Sequence, residues 1–549
     1  MTELFDSINF EAYVIGAWAS ISADVLMTPE PTWNMGIMGN SPTDRVGDPE
    51  YLKFSLDNSE MNSAFLQGYY TPGHANCKPG WDTGIDIRLY FVFEGEIFYK
   101  YYGKIMPSGI NATTSIYGRR SVAVSCHGFM AQASDHDFAL PTLQTNLKIG
   151  ASVSALLTNM PIQPLATSLT TGGDTFPTMF DTVQKRTTAL GELQKMAQSE
   201  YAYIYTKGDK TGGQTLVAES RITRSGLSNF TAPSADDVST LVQNEDGDQC
   251  INEDTLEVDA INDETQTIDF SGRSLFGMKD PSYGKNMSNE VKAVTTPRKV
   301  DAVATTVLFQ TQERILVAAN TTKSNFRGDY RDPNGGASYV NGKEMVTPVS
   351  GTDYTMFANS DGTGANLTAS LVVTATYGTE AVEYDLQNTG GTDGYVFLQA
   401  RGKGIYIYDE VAVVVSDTTS INKHGKHSLN FDMKYQNDPA KGEAIAQIIL
   451  GYEKDPNRTI EDYPMLANVD SDSMMGFLYG EPGVRSTFTE PMNAINDSYF
   501  IMGYTAKIVA NLYVFWSPVL FIASHTVGSG SWIWDVSLWD VNTTWGFPE

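Results

Sequence analysis

Residues 187–221 read TTALGELQKMAQSEYAYIYTKGDKTGGQTLVAESR. Ala189, Leu190, Leu193 and Ala197 recur at helical spacing with Met196 beside them, which predicts a short helix with one apolar face. The period then shortens. Tyr201, Tyr203 and Tyr205 alternate with Ala202 and Ile204, the run from Lys207 to Gly213 supplies turn residues, and Leu216, Ala218 and Ser220 alternate with Val217 and Glu219. A helix followed by a hairpin is expected. Neither piece buries its apolar side alone, so the unit needs a partner layer elsewhere in the chain.

The first candidate for that layer lies upstream, where Ile149, Val153, Leu156 and Leu157 fall at i, i+4, i+7 and i+8 of a second helix. Together the two predict an α+β domain over 131–224, with Leu165 to Asp181 as a Thr/Gly-rich connection. Before it, residues 1–130 carry short strands such as Tyr51 to Leu56, Ile85 to Phe93, Ile97 to Tyr102 and Ser121 to Val124. Glu94-Gly95-Glu96 reads as a hairpin turn, and this segment suits a small antiparallel barrel or sandwich.

After it, residues 225–286 form an acidic connection with no Lys or Arg from Ser225 to Gly272. Its clusters Glu245-Asp246-Gly247-Asp248 and Glu253-Asp254 lack the ligand spacing of a calcium loop, and a solvated acidic face is the plainer reading. Asn468-Val469-Asp470-Ser471-Asp472 comes closer, but Ser473 stands where such a loop needs glycine, so a helix-capping turn is expected.

Residues 287–417 are the most β-rich and predict an inserted β-sandwich, its strands bounded by Asn-Gly and Asp-Gly turns. Residues 418–485 contain a helix that Asp438 can cap and Pro439 can open, with Ile445, Ile448, Ile449 and Tyr452 on one face. Residues 486–549 return to aromatic-rich strands and suggest a second small barrel. The uncharged run Ile508 to Ser524 is broken by Asn511, Ser517 and Pro518, so two strands joined at Ser517-Pro518 are expected rather than a membrane span. The class is therefore mainly β with an α+β middle: multidomain, with small barrels near both ends and an inserted sandwich.

A length of 549 residues allows several cores, and 65 acidic against 37 basic residues give a formal net charge of -28. That balance argues against gripping nucleic acid, which needs clustered Lys and Arg. Acids in Met1 to Asp6 stand where a signal peptide would be basic. Cys77, Cys126 and Cys250 are too dispersed for a disulfide framework or a sulfur-ligated metal. His424 and His427 flank a turn and Asp135-His136-Asp137 is a polar triplet, but neither has the second ligand pair of a metal site. No phosphate loop, dinucleotide fingerprint or nucleophile elbow is present. No catalytic, cofactor-binding or metal residue is named, and no cofactor is expected. So many acids leave a glycosidase conceivable, but nothing specific supports it and acids this numerous are usually a solvated surface.

Ser41-Pro42-Thr43-Asp44-Arg45-Val46, then Phe54 to Ser63, then Gly68 to His74, together resemble the start of minor tail proteins of long-tailed bacteriophages. The helix-hairpin unit is similar to that group's pattern from Ala189 to Ala197 and from Leu216 to Arg221, with Gly191 and Ala218 departing from it. Asp329 to Asn334, Leu398 to Tyr406, Tyr499 to Gly503 and Trp539 to Phe547 extend the resemblance over nearly the whole chain.

The resemblance implies a tail-tip or baseplate hub made in the host bacterial cytoplasm and built into the virion. Its two barrels would imitate, in a homotrimer, the six-fold ring of the tail tube. Its partners would be the distal tail ring, the tape measure and the fibres, with DNA present only in transit and no stable membrane span. Acids between Ser225 and Gly272, if they line the channel, would repel the passing phosphates. A carbohydrate-binding adhesin and a glycan hydrolase remain as alternative classes.

Overall fold

The computed structural model describes residues 5–113, 120–137, 143–180, 187–221, 241–243, 250–252, 282–460, 464–490 and 495–522. The acidic clusters at 245–248 and 253–254, His525 and the tryptophans beyond residue 522 lie outside the described residues.

The chain begins with β1 (Ser7–Val14), β2 (Ala17–Ser20), β3 (Val25–Leu26), β4 (Thr32–Gly36), β5 (Tyr51–Asp57), β6 (Asp86–Phe93), β7 (Glu96–Ala112) and β8 (Ser121–His127). Alternation decides which face is buried. On β6, Ile87, Leu89, Phe91 and Phe93 are in the core while Arg88 and Tyr90 stand on the other face. Glu94 and Gly95 both adopt positive φ, 52° and 80°, as a two-residue hairpin turn between β6 and β7 requires.

Next come α1 (Phe129–Asp135), β9 (Gln144–Lys148), α2 (Ile149–Leu157), β10 (Ala166–Leu169), β11 (Thr175–Met179), α3 (Ala189–Glu200), β12 (Tyr203–Gly208) and β13 (Gln214–Glu219). The helix and hairpin stand where their periodicity put them. Thr188 caps α3 by accepting from Gly191 N at 3.1 Å. Ile149, Val153, Leu156 and Leu157 of α2 share one core with Leu193, Met196 and Ala197 of α3 and Ile204 and Leu216 of the hairpin. The expected connection from Leu165 to Asp181 is instead two strands. β10 pairs parallel with β13, and β11 pairs antiparallel with β9. Threonine-rich backbone takes the strand form when an open edge satisfies its N–H and C=O groups, a tertiary cause that local composition does not carry.

β14 (Glu290–Thr295) opens the next part, and residues 298–408 form a β-sandwich. In one sheet the long strand Gly394–Ile407 pairs with strands at 298–300, 306–310, 315–317, 339–343 and 354–357. The facing sheet holds 322–329, 381–388 and 371–377. Val396 and Leu398 from the first and Val382, Tyr384 and Leu386 from the second share a core. The chain then returns as β15 (Val411–Ser416), antiparallel to β14, followed by α4 (Thr418–His424) and by β16 (Ser428–Met433), parallel to β14 on its other side. Across β14 and β15 lies α5 (Pro439–Glu453), capped by Asp438 as expected, with Ile445 and Ile449 buried.

The last described elements are α6 (Ser471–Tyr479), β17 (Arg485–Glu490), β18 (Ile495–Val509) and β19 (Tyr513–Ile522). Asp470 accepts from Ser473 N at 2.8 Å, so the partial calcium-loop pattern is a helix cap. The bend between β18 and β19 lies at Ala510–Leu512, not at Ser517-Pro518. Pro518 sits inside β19 opposite Tyr504, and the side of β19 away from β18 is paired only at Phe515 and Trp516, so its missing N–H breaks no ladder bond among the described residues.

β18 also pairs with β4, from Gly503 opposite Gly36 to Lys507 opposite Thr32. Strands from both ends of the chain therefore lie in one twelve-stranded sheet, ordered β2-β1-β6-β7-β8-β5-β4-β18-β19 and ending on the short strand 465–466, with β3 on β5 and β17 on β18. They also share one core, in which Phe91 of β6 meets Phe477 of α6 with ring centroids 5.2 Å apart. The mainly β, multidomain class holds. The strands expected in separate barrels at the two ends are parts of one sheet, which does not close on itself among the described residues.

Candidate functional site

Among the described residues no group of three or more His, Cys, Asp or Glu side chains is placed to hold a metal ion. His424 ends α4, Gly425 follows with φ +84°, and His427 N donates to Asn289 Oδ1 at 2.8 Å, so this stretch is a turn that ties α4 to β14. Asp135 and Asp137 are exposed at the end of α1. Cys77 and Cys126 are free thiols, and burial pushes both up. The dense polar chemistry lies in the seams between the layers.

The loop before β5 makes the first seam. Arg45 stacks its guanidinium 3.4 Å from the ring centroid of Tyr201 and 4.2 Å from that of Tyr203. Its backbone docks on the hairpin: Ile204 N donates to Arg45 O at 2.9 Å and Gly47 N donates to Ile204 O at 2.7 Å. Glu453, at the end of α5, is buried near the same cation; burial pushes its carboxyl up to about 7, with Arg45 opposing. Glu50 closes the seam. Its Oε2 accepts from Met130 N in the first turn of α1 at 2.9 Å, and its Oε1 accepts from Gln214 Nε2 at 3.2 Å and from the Thr206 hydroxyl. Burial pushes this carboxyl up to about 8 against those hydrogen bonds.

Lys100 of β7 makes the second seam. Its ammonium donates to the carbonyls of Phe477 and Leu478 at 2.8 and 2.9 Å, at the C-terminal end of α6, and pairs with Glu481. Burial lowers the Lys100 pKa while Glu481 opposes the shift. Glu481 Oε2 in turn accepts from Gly208 N of the hairpin at 2.9 Å. One ion pair thus joins the N-terminal strands, the C-terminal helix and the hairpin.

The third seam is made by α3 and the end of the hairpin. Glu192 is fully buried, takes Lys195 at 2.7 Å and receives the Tyr435 hydroxyl, while Tyr435 N donates to Ser199 Oγ at 2.9 Å. Asp174 is buried between Arg221 and Lys441; burial would raise its carboxyl, but the two cations outweigh it and hold it below its ordinary value. Beside it, Glu200 accepts from Gly173 N at 2.8 Å, and burial pushes it up to about 7. In the sequence Glu192, Ser199, Glu200 and Arg221 belong to no diagnostic site motif. Glu192, Met196 and Ser199 fall at i, i+4 and i+7, so polar groups on an apolar helix face were the available signal. The carboxylates are buried, and Glu192 and Asp174 are paired with cations that reach partway to solvent. The arrangement fixes the relative position of the hydrophobic cores.

No family model matches the chain, and no curated protein matches it. Solved structures similar to it along most of its length include phage tail proteins. The tail protein from Neisseria meningitidis MC58 has 9% identity and a TM-score of 0.44, over 94% of this chain and 96% of that one. The 43 kDa tail protein of prophage MuSo2 from Shewanella oneidensis has 8% identity and a TM-score of 0.43, over 94% and 98%. Prophage tail protein gp18 from Listeria monocytogenes EGD-e has 7% identity and a TM-score of 0.33, over 93% and 94%.

Proposed function

We propose that the chain is a structural virion protein of the phage tail tip, a hub that joins the tail tube to the distal host-recognition proteins and forms part of the DNA ejection channel. The observation that carries this reading is the pairing of β4 with β18. It places the strand sets from both ends of the described chain side by side in one sheet whose outer strands, among the described residues, are β2 and the short strand 465–466. Three such chains, joined end to end, make a closed six-part ring, because a head-to-tail contact closes when its rotation divides the circle. The motifs that resemble minor tail proteins support the same reading, since the Arg45 loop and the α3-hairpin unit meet in the first seam.

In this role the chain performs no reaction. The buried ion pairs at the seams keep the sheet and the helix-hairpin unit in fixed relation. Its partners are two further copies, the distal tail ring, the tape measure and the fibres, and DNA passes without stable binding. Antibodies raised against the purified chain, applied to intact virions in the electron microscope, test the assignment. Label at the free end of the tail is expected. Virions that lack the chain, or label on the head, would refute it.

A further inference from the structure

β15 runs Val411-Ala412-Val413-Val414-Val415-Ser416, six residues without a charge, and is the outer strand of its three-stranded sheet among the described residues. Val411 is 39% exposed and Val414 54%. The hydrogen-bond parity of this strand follows from its neighbours. Asp417 N donates to Asn289 O at 3.0 Å, and the register places Ser416 opposite Glu290. Bonded pairs alternate in an antiparallel ladder, so residues 415, 413 and 411 face β14 with their N–H and C=O groups. The Thr295 hydroxyl donating to Val411 O at 3.3 Å agrees with that parity. Ala412, Val414 and Ser416 therefore point their backbone groups away from β14, along the open edge.

Natural sheets blunt such edges with Lys, Pro or a bulge. β15 has none of these: its register with β14 runs without a shift, and α5 packs across both strands with Val415 against the Ile445 and Ile449 core. A rigid, uncharged, β-branched edge is a template for an added strand.

The charges around it select the occupant. Asp409 and Glu410 precede the strand and Asp417 follows it. Lys434 meets Glu410 at 2.7 Å and Asp432 at 2.9 Å. Lys454 meets the part-buried Asp417 at 3.2 Å, while the other Asp417 oxygen caps α4 through Ser420 N. Asp409, Glu410, Asp417 and Asp432 thus outnumber the two lysines beside this edge and favour an incoming cation. A second copy pairing antiparallel about Val413 would set Asp409 against Asp417 at both ends, in a chain whose net charge is already -28. We propose that β15 is a docking edge for an extended segment of a different protein, apolar at alternate positions and carrying Lys or Arg at both ends.

The test uses the full chain and a synthetic peptide, Lys-Val-Thr-Val-Thr-Val-Lys, followed by fluorescence anisotropy. The peptide is expected to bind, and the same peptide with Glu at both ends to bind at least about tenfold more weakly. Val414→Pro removes an outward N–H and leaves the β14 ladder intact, so it is expected to abolish binding with an unchanged circular dichroism spectrum and melting temperature. Ala412→Pro, with the same parity, is the second variant. Equal binding by folded Val414→Pro and Ala412→Pro variants, or no binding of the Lys-ended peptide, overturns the proposal. Self-association of the wild-type chain that Val414→Pro releases also overturns it, by making a second copy the occupant.

Discussion

Gly36 lies opposite Gly503 where β4 meets β18, and a Cβ on Gly36 would stand 2.6 Å from Met502 O and 2.9 Å from Gly503 Cα. The two ends of the chain therefore meet at a contact with no room for a side chain on either strand. A Cβ on Gly503 would stand 2.5 Å from Ile37 O and 2.6 Å from Met35 O. Gly503→Ala is expected to destabilise the fold by about 1–3 kcal/mol, read as a lower denaturant midpoint. An unchanged midpoint would mean that the two strands separate at no cost.

The buried carboxylates predict an unusual pH response. Glu50 is pushed up to about 8, and Glu200 and Glu453 up to about 7, from an ordinary value of 4.5. A raised carboxyl pKa means that the folded chain keeps a proton the unfolded chain releases. The stability these groups contribute is therefore full below about pH 4.5 and is lost as pH rises toward about 8, at about 1.4 kcal/mol per pKa unit. Glu50→Gln keeps an acceptor for Met130 N and removes the titrating group, and it is expected to flatten the upper part of that slope. Denaturant titrations from about pH 5 to about pH 9 measure it. A variant that keeps the full slope would place the titration elsewhere.

Asp174 has the opposite sign. Its carboxyl is held below its ordinary value by Arg221 and Lys441, so its contribution is present above about pH 4 and fades as pH falls through the lowered folded-state pKa. Removing one cation leaves a carboxylate that is 2% exposed with half its partners. Arg221→Ala is expected to cost about 3 kcal/mol, and adding Asp174→Asn to recover part of that loss. Independent, additive losses in the double variant would deny the coupling.

Asp24 is buried and accepts from Ser63 N at 2.6 Å, from the Ser63 hydroxyl at 2.7 Å and from the Tyr70 hydroxyl at 2.5 Å. It pins a loop on which Met61 and Phe65 are 79% and 77% exposed. Asp24→Ala is expected to cost about 1–3 kcal/mol and to open residues 59–67 to limited proteolysis. Phe65→Ser, on the same loop, is expected to change stability by less than about 0.5 kcal/mol.

The parts of the fold that sequence discloses are those whose cause is local. α3, α5 and the β12–β13 hairpin show themselves because both the 3.6-residue and the 2-residue periods are written in apolar side chains, with Thr188 and Asp438 as caps. β10 and β11 stay hidden because pairing with β13 and β9 makes them strands. The union of β4 with β18 is hidden for a stronger reason. Either strand alone reads as one side of a separate barrel, and only Gly36 and Gly503 mark the close approach. The seams were half legible: Glu192 and Ser199 on an apolar helix face signal buried partners, but nothing local names Tyr435 as that partner.

The hub reading rests on three chains continuing one sheet into a ring, so the mass of the purified full-length chain by light scattering, followed by negative-stain imaging, tests it most directly. The account predicts a particle of three copies with a central opening. A two-fold dimer, or a compact particle without an opening at every concentration, would contradict it.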